Sequence, residues 1–116
     1  RYYDQVAKKE VQIETEILNE QFVADKTLQI IRQGLRQAVT QGSAKILNSL
    51  PVTAAAKTGT AQWATDKTPH SWFTSFAPYN DAEIVVTILV EEGGEGSAIA
   101  APIAYEFMHW YFNYYK

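Results

Sequence analysis

The stretch AAAKTGTAQ (54–62), followed by SWFTSFAP (71–78) and EIVVTILVE (83–91), decides the fold. Each run is short and suited to extended backbone, and the links between them are short enough for antiparallel neighbours. Pro78-Tyr79-Asn80-Asp81, the second link, has ordinary turn chemistry. The pattern predicts a three-stranded meander with the first strand at one edge and the third at the other. Ile84 to Val90 is apolar at nearly every position, which predicts a strand covered on both faces or set in the middle of a sheet.

Upstream, Leu28, Ile31, Leu35 and Val39 recur at three- and four-residue steps and predict a helix over about 26–41. Asp25 or Thr27 is expected to cap its start, and Gly42 to end it in the left-handed conformation. Residues 43–53 read as a connection, with Ile46, Leu47 and Leu50 partly buried. Earlier still, Val11, Ile13, Thr15 and Ile17 alternate with Gln12, Glu14 and Glu16, the period of a strand over about 10–18 with one wet face. Downstream, Gly93, Gly94 and Gly96 read as a flexible joint. After it, Ile99, Ile103, Phe107, Trp110 and Tyr114 predict the packing face of a C-terminal helix, and Pro102 is tolerated in its first turn. The fold class is therefore α+β: an antiparallel sheet, with one extra strand upstream, flanked by helices.

Composition bounds the function. The chain has 116 residues, 47% of them hydrophobic, which suits one compact unit with a real core. Its formal net charge is -3, and its ten Lys and Arg are scattered, so no basic stripe favours nucleic acid. There is no cysteine, and the two histidines, His70 and His109, are far apart, so no disulfide frame or local metal motif is expected. No run approaches the about 18 apolar residues of a membrane span, and any targeting or anchoring segment is expected outside this chain.

Chemistry concentrates on Lys57-Thr58-Gly59-Thr60-Ala61-Gln62. Gly59 leaves the backbone bare, so a ligand can lie against it. The Thr58 and Thr60 hydroxyls can donate to a carboxylate, Lys57 adds a cation, and a strand-edge N–H such as that of Thr60 can face a developing oxyanion. An ordinary sheet strand is the plain alternative, since Lys-Thr-Gly recurs by chance. A phosphate loop is excluded, because Pro51 and Ala56 stand where that motif needs glycine.

Context adds to this. Gly34-Leu35-Arg36-Gln37-Ala38-Val39, Gly42-Ser43-Ala44, Lys57 to Gln62, His70 to Pro78, Glu91 to Ser97 and Ala101-Pro102-Ile103-Ala104 together resemble the C-terminal part of a penicillin-binding protein transpeptidase domain. The resemblance runs from about residue 26 to 110 and favours the class B, monofunctional enzymes; residues 1–25 read as a less certain extension of one partial domain, 1–116. It implies a peptidoglycan D,D-transpeptidase, in which a serine attacks the D-Ala-D-Ala stem peptide and the acyl group passes to the amine of another. Penicillin mimics that substrate. By carry-over, Lys57 and Thr60 are catalytic residues, and Thr58, Gly59, Thr60 and Gln62 bind substrate. Lys57 supports the proton network, Thr58 and Thr60 hold the substrate carboxylate, and the Thr60 N–H supplies half of the oxyanion hole. No cofactor or metal is implied. Location would be the extracytoplasmic (periplasmic) face of a bacterial membrane.

One departure limits the implied activity. None of Ser43, Ser49, Ser71, Ser75 and Ser97 is followed three residues later by lysine, and no S-x-N element occurs. The nucleophile is expected on residues outside this chain, which alone should not be acylated. The rest of the transpeptidase domain is then a required partner, and an exposed strand 83–91 should promote a homodimer or aggregation. Rival readings are the matching part of a serine β-lactamase or D,D-carboxypeptidase, or a non-catalytic binding module. His70 reads as a surface histidine at a strand start in preference to a groove lining, His109 and the aromatic cluster from Tyr105 to Tyr115 as structural, and Glu91, Glu92 and Glu95 as a solvated acidic loop. Trp63 and the loop to Thr68 follow the motif closely enough to border the cleft, but sequence does not decide whether they do.

Overall fold

The computed structural model describes residues 2–12, 16 and 23–115. A small antiparallel hairpin comes first, joining β1 (Tyr2–Asp4) to β2 (Lys9–Val11). Asp4 closes its turn, its Oδ1 accepting from the Val6 and Ala7 N–H groups at 2.8 and 2.9 Å. The strand expected over 10–18 begins within β2, and most of its remainder lies outside the described residues.

Helix α1 (Asp25–Thr40) follows, then a 3-10 turn (Lys45–Ser49), β3 (Ala55–Ala61), β4 (His70–Ala77), β5 (Ile84–Val90) and α2 (Ala100–Trp110), which ends in a π-helical turn (Tyr111–Tyr115). The sheet order is β3-β4-β5, all antiparallel, with Gly59 opposite Trp72 and Trp72 opposite Leu89. The expected meander is present, with β3 and β5 at its edges.

The alternation of β4 sets the layers. Ser71, Phe73, Ser75 and Ala77 are buried on one face, whereas Trp72 and Thr74 are exposed on the other. Helix α2 packs against β4 and β5, and the Ser75 hydroxyl meets the Met108 sulfur at 3.7 Å. Phe73 is fully buried at the centre, which contributes about 1.5–3 kcal/mol of hydrophobic stabilisation. Helix α1 lies beside β3 and is fastened by two arginines. Arg36 donates to the Ala54 carbonyl at 2.7 Å, and the Arg32 guanidinium stacks over the Phe76 and Tyr79 rings at 5.0 and 5.3 Å.

The structure departs from expectation at several places. The buried side of α2 is Ala100, Ala101, Ala104 and Met108, while Ile99, Ile103, Phe107, Trp110 and Tyr114 are exposed. Small side chains let the helix sit close to the sheet, so the larger apolar side chains stay partly exposed, Ile103 and Phe107 beside the β5 edge. β5 is buried only at Val86, and Val85, Thr87 and Leu89 are exposed, because it has one strand neighbour and a helix on one face. Neither Asp25 nor Thr27 caps α1: Ala24 is the N-cap, and no side chain bonds there. Gly42 is not left-handed. A Cβ there would lie 2.9 Å from the Ala38 Cα, so close packing at the helix end accounts for the glycine.

In the connection, Leu47 and Leu50 are buried, but Ile46 is exposed. Toward the start of α1 the apolar stripe also opens to solvent, with Leu28 and Ile31 exposed and Val39 fully buried.

Candidate functional site

β3 passes from the core to the surface along its own length. Ala54, Ala55 and Ala56 are buried, after which Lys57 and Thr60 are exposed and Thr58 and Gly59 half-buried. Alanines fit where the strand lies beside α1 and in the core, and the polar residues begin where that cover ends. Among the described residues β3 is an edge strand, with one row of backbone groups that no neighbouring strand uses. The structure therefore puts Lys57, Thr58, Gly59 and Thr60 together on an accessible sheet edge.

The side chains are organised locally. The Lys57 ammonium donates to the Thr58 carbonyl. The Thr58 hydroxyl lies 2.8 Å from the hydroxyl of Ser43, in the link that follows α1. Gln62 turns the other way: its amide nitrogen donates to the Lys67 carbonyl at 2.8 Å and also to Ala64, folding the 62–69 loop onto itself. Trp63 stacks on His70, with centroids 5.4 Å apart and planes within 8°, and its indole N–H donates to the Thr68 carbonyl at 3.2 Å. His70 Nδ1 accepts from the Glu92 N–H at 3.0 Å, tying the loop before β4 to the loop after β5.

Gly96 supports the strand from the loop before α2. It is buried, and a Cβ added to it would lie 2.3 Å from the Trp72 carbonyl oxygen and 2.5 Å from that of Gly59. Two residues of that loop have a positive φ, Glu92 at +50° and Gly94 at +82°, and the Gly94 N–H donates to the Pro69 carbonyl at 2.9 Å, so the expected flexible joint is a bonded turn. Ser43 and Gly96 were not singled out as site residues from sequence. No local pattern marks a contact made across 15 residues, as from Ser43 to Thr58, or one made by a missing side chain.

An open apolar recess of about 370 Å³ lies elsewhere, at the opposite sheet edge, between β5 and the Ile103 and Phe107 side chains. Thr87 is the one polar side chain in its lining. Among the described residues no group of three or more His, Cys, Asp or Glu could hold a metal, and no helix is long and apolar enough to cross a membrane.

Known proteins resemble this chain in sequence and in fold. The peptidoglycan D,D-transpeptidase MrdA of Haemophilus influenzae is 48% identical over 44 residues, which is 38% of this chain and 7% of that protein. Among solved structures, the penicillin-binding protein PBP2 of Helicobacter pylori is similar with a TM-score of 0.63 and 33% identity, over 78% of this chain and 17% of that one. Penicillin-binding protein A of M. tuberculosis, solved as an imipenem acyl-enzyme complex, matches with a TM-score of 0.57 and 29% identity, over 73% of this chain and 20% of that one. The chain thus spans a small part of each relative's length. The α+β meander with flanking helices is the fold these proteins share with it, and the family model described as the penicillin binding protein transpeptidase domain matches residues 1–109. With its sheet, its motif strand and 109 residues accounted for by one model, the chain belongs to the penicillin-binding protein transpeptidase family.

Proposed function

We propose that β3 is one wall of the acyl-transfer site of a peptidoglycan D,D-transpeptidase, at the extracytoplasmic face of a bacterial cell membrane. The observation that carries this reading is the emergence of Lys57, Thr58, Gly59 and Thr60 from the core onto a free sheet edge. A substrate lying along that edge can pair with its backbone while Gly59 leaves room for it. The Thr58 and Thr60 hydroxyls then donate to the terminal carboxylate of the stem peptide or β-lactam. The Thr60 N–H supplies half of the oxyanion hole and Lys57 sustains the proton network, while the Gln62 amide, bonded to the Ala64 and Lys67 carbonyls, would reach substrate only on leaving them.

In the complete domain a serine oxygen attacks the penultimate D-Ala carbonyl. The terminal D-Ala leaves with a proton, and the amine of a second stem peptide then displaces the serine. No metal or organic cofactor enters these steps. The serine, its lysine partner and the middle motif belong to residues outside 1–116, so this chain is one partial domain without activity of its own. Hydrolysis by a β-lactamase or D,D-carboxypeptidase would use the same edge. The relatives' naming as transpeptidases favours transfer.

The test is labelling of the full-length parent protein with a fluorescent penicillin. Lys57→Ala is expected to slow labelling about 100-fold or more with an unchanged melting temperature. Labelling at the wild-type rate would remove Lys57 from the mechanism.

A further inference from the structure

Ser43 lies in the exposed link between α1 and the 3-10 turn, and its hydroxyl is 2.8 Å from that of Thr58. The link is held on both sides. The Gly42 N–H donates to the Gln37 carbonyl at 3.0 Å, and Ala44, fully buried, donates to the Ala38 carbonyl at 2.9 Å. Ser43 is thus presented to β3 by a short segment anchored to the last turn of α1.

The direction of this bond follows from what Thr58 must do. A threonine hydroxyl has one proton and two lone pairs, and a carboxylate only accepts. If the Thr58 proton points to Ser43, none is left for a carboxylate. If Ser43 donates instead, it fills a Thr58 lone pair and leaves the Thr58 proton free to face outward. Hydrogen bonds in such a chain polarise one another, which makes Thr58 the better donor.

We propose that Ser43 is a positioning residue for Thr58: it donates to Thr58 Oγ1 and so directs the Thr58 proton toward the substrate carboxylate. This rests on the reading of Thr58 as a carboxylate holder, and the experiment separates the two. In the full-length parent protein, the second-order acylation rate is measured with benzylpenicillin and with its methyl ester, which lacks the anionic carboxylate.

Ser43→Ala is expected to slow benzylpenicillin about three- to tenfold, the weight of one neutral hydrogen bond, and to leave the ester rate and the melting temperature unchanged. Ser43→Thr, which keeps the hydroxyl, is expected to restore the rate. Adding Ser43→Ala to Thr58→Ala is expected to cost nothing further. Equal loss with both substrates, no loss with either, or full additivity of the two substitutions would overturn the role of Ser43 while leaving that of Thr58 intact. A benzylpenicillin-to-ester ratio unmoved by Thr58→Ala would overturn the carboxylate reading, and this inference with it.

Discussion

Gly96 sits directly against the backbone of Gly59: a Cβ on Gly96 would come within 2.5 Å of the Gly59 carbonyl oxygen and 3.1 Å of its nitrogen. The loop before α2 thereby supports the motif strand at the point where a substrate would lie. The atoms in the way are backbone, which cannot swing aside as a flexible side chain can. Gly96→Ala in the parent protein should therefore cost about 1–3 kcal/mol of stability and also slow penicillin acylation, by displacing β3. Thermal melting and acylation kinetics check both. A variant as stable and as fast as wild type would show that the contact does not position the strand.

His70 joins two loops through one ring, stacking on Trp63 and accepting from the Glu92 N–H at 3.0 Å. Removing the ring loses one stack and one hydrogen bond, together about 1–2 kcal/mol at a half-exposed site. Loss of that tie should show locally before it shows globally. His70→Ala is expected to raise amide hydrogen exchange across residues 62–69 and 91–95, leaving the β4 core protected. Unchanged exchange in both loops would mean the ring holds neither.

β5 is an edge strand bearing exposed Val85 and Leu89, and the neighbouring α2 exposes Ile103 and Phe107. Apolar edges of this kind pair with other chains. The isolated 116-residue chain should form dimers or larger species in sedimentation at tens of micromolar, and Val85→Lys should shift it toward monomer. A stable wild-type monomer at high concentration would contradict this.

Much of this was legible in the chain itself. The three strands were read within a residue or two of their ends, because alternation and turn residues are local signals. Lys57 to Thr60 stood out because charge, hydroxyls and a missing side chain coincide on one extended segment. The packing side of α2 was misread, since periodicity marks Ile99, Ile103 and Phe107 as a stripe without saying which element covers it. Alanines make the close contact instead, and an alanine carries little signal in a hydrophobic pattern. Gly42 was misread for a similar reason: glycine at a helix end reads as a left-handed cap, but here it serves close packing against Ala38. The Ser43–Thr58 pair needed the fold, because it joins a link and a strand that only folding brings together.

The central claim, that this chain is one wall of a site whose nucleophile lies elsewhere, is tested most directly by intact-mass and peptide mapping after exposure to penicillin. The account predicts a single penicilloyl adduct on the full-length parent, on a serine outside residues 1–116, and none on the isolated chain. An adduct on Ser43, Ser49, Ser71, Ser75 or Ser97 would contradict it.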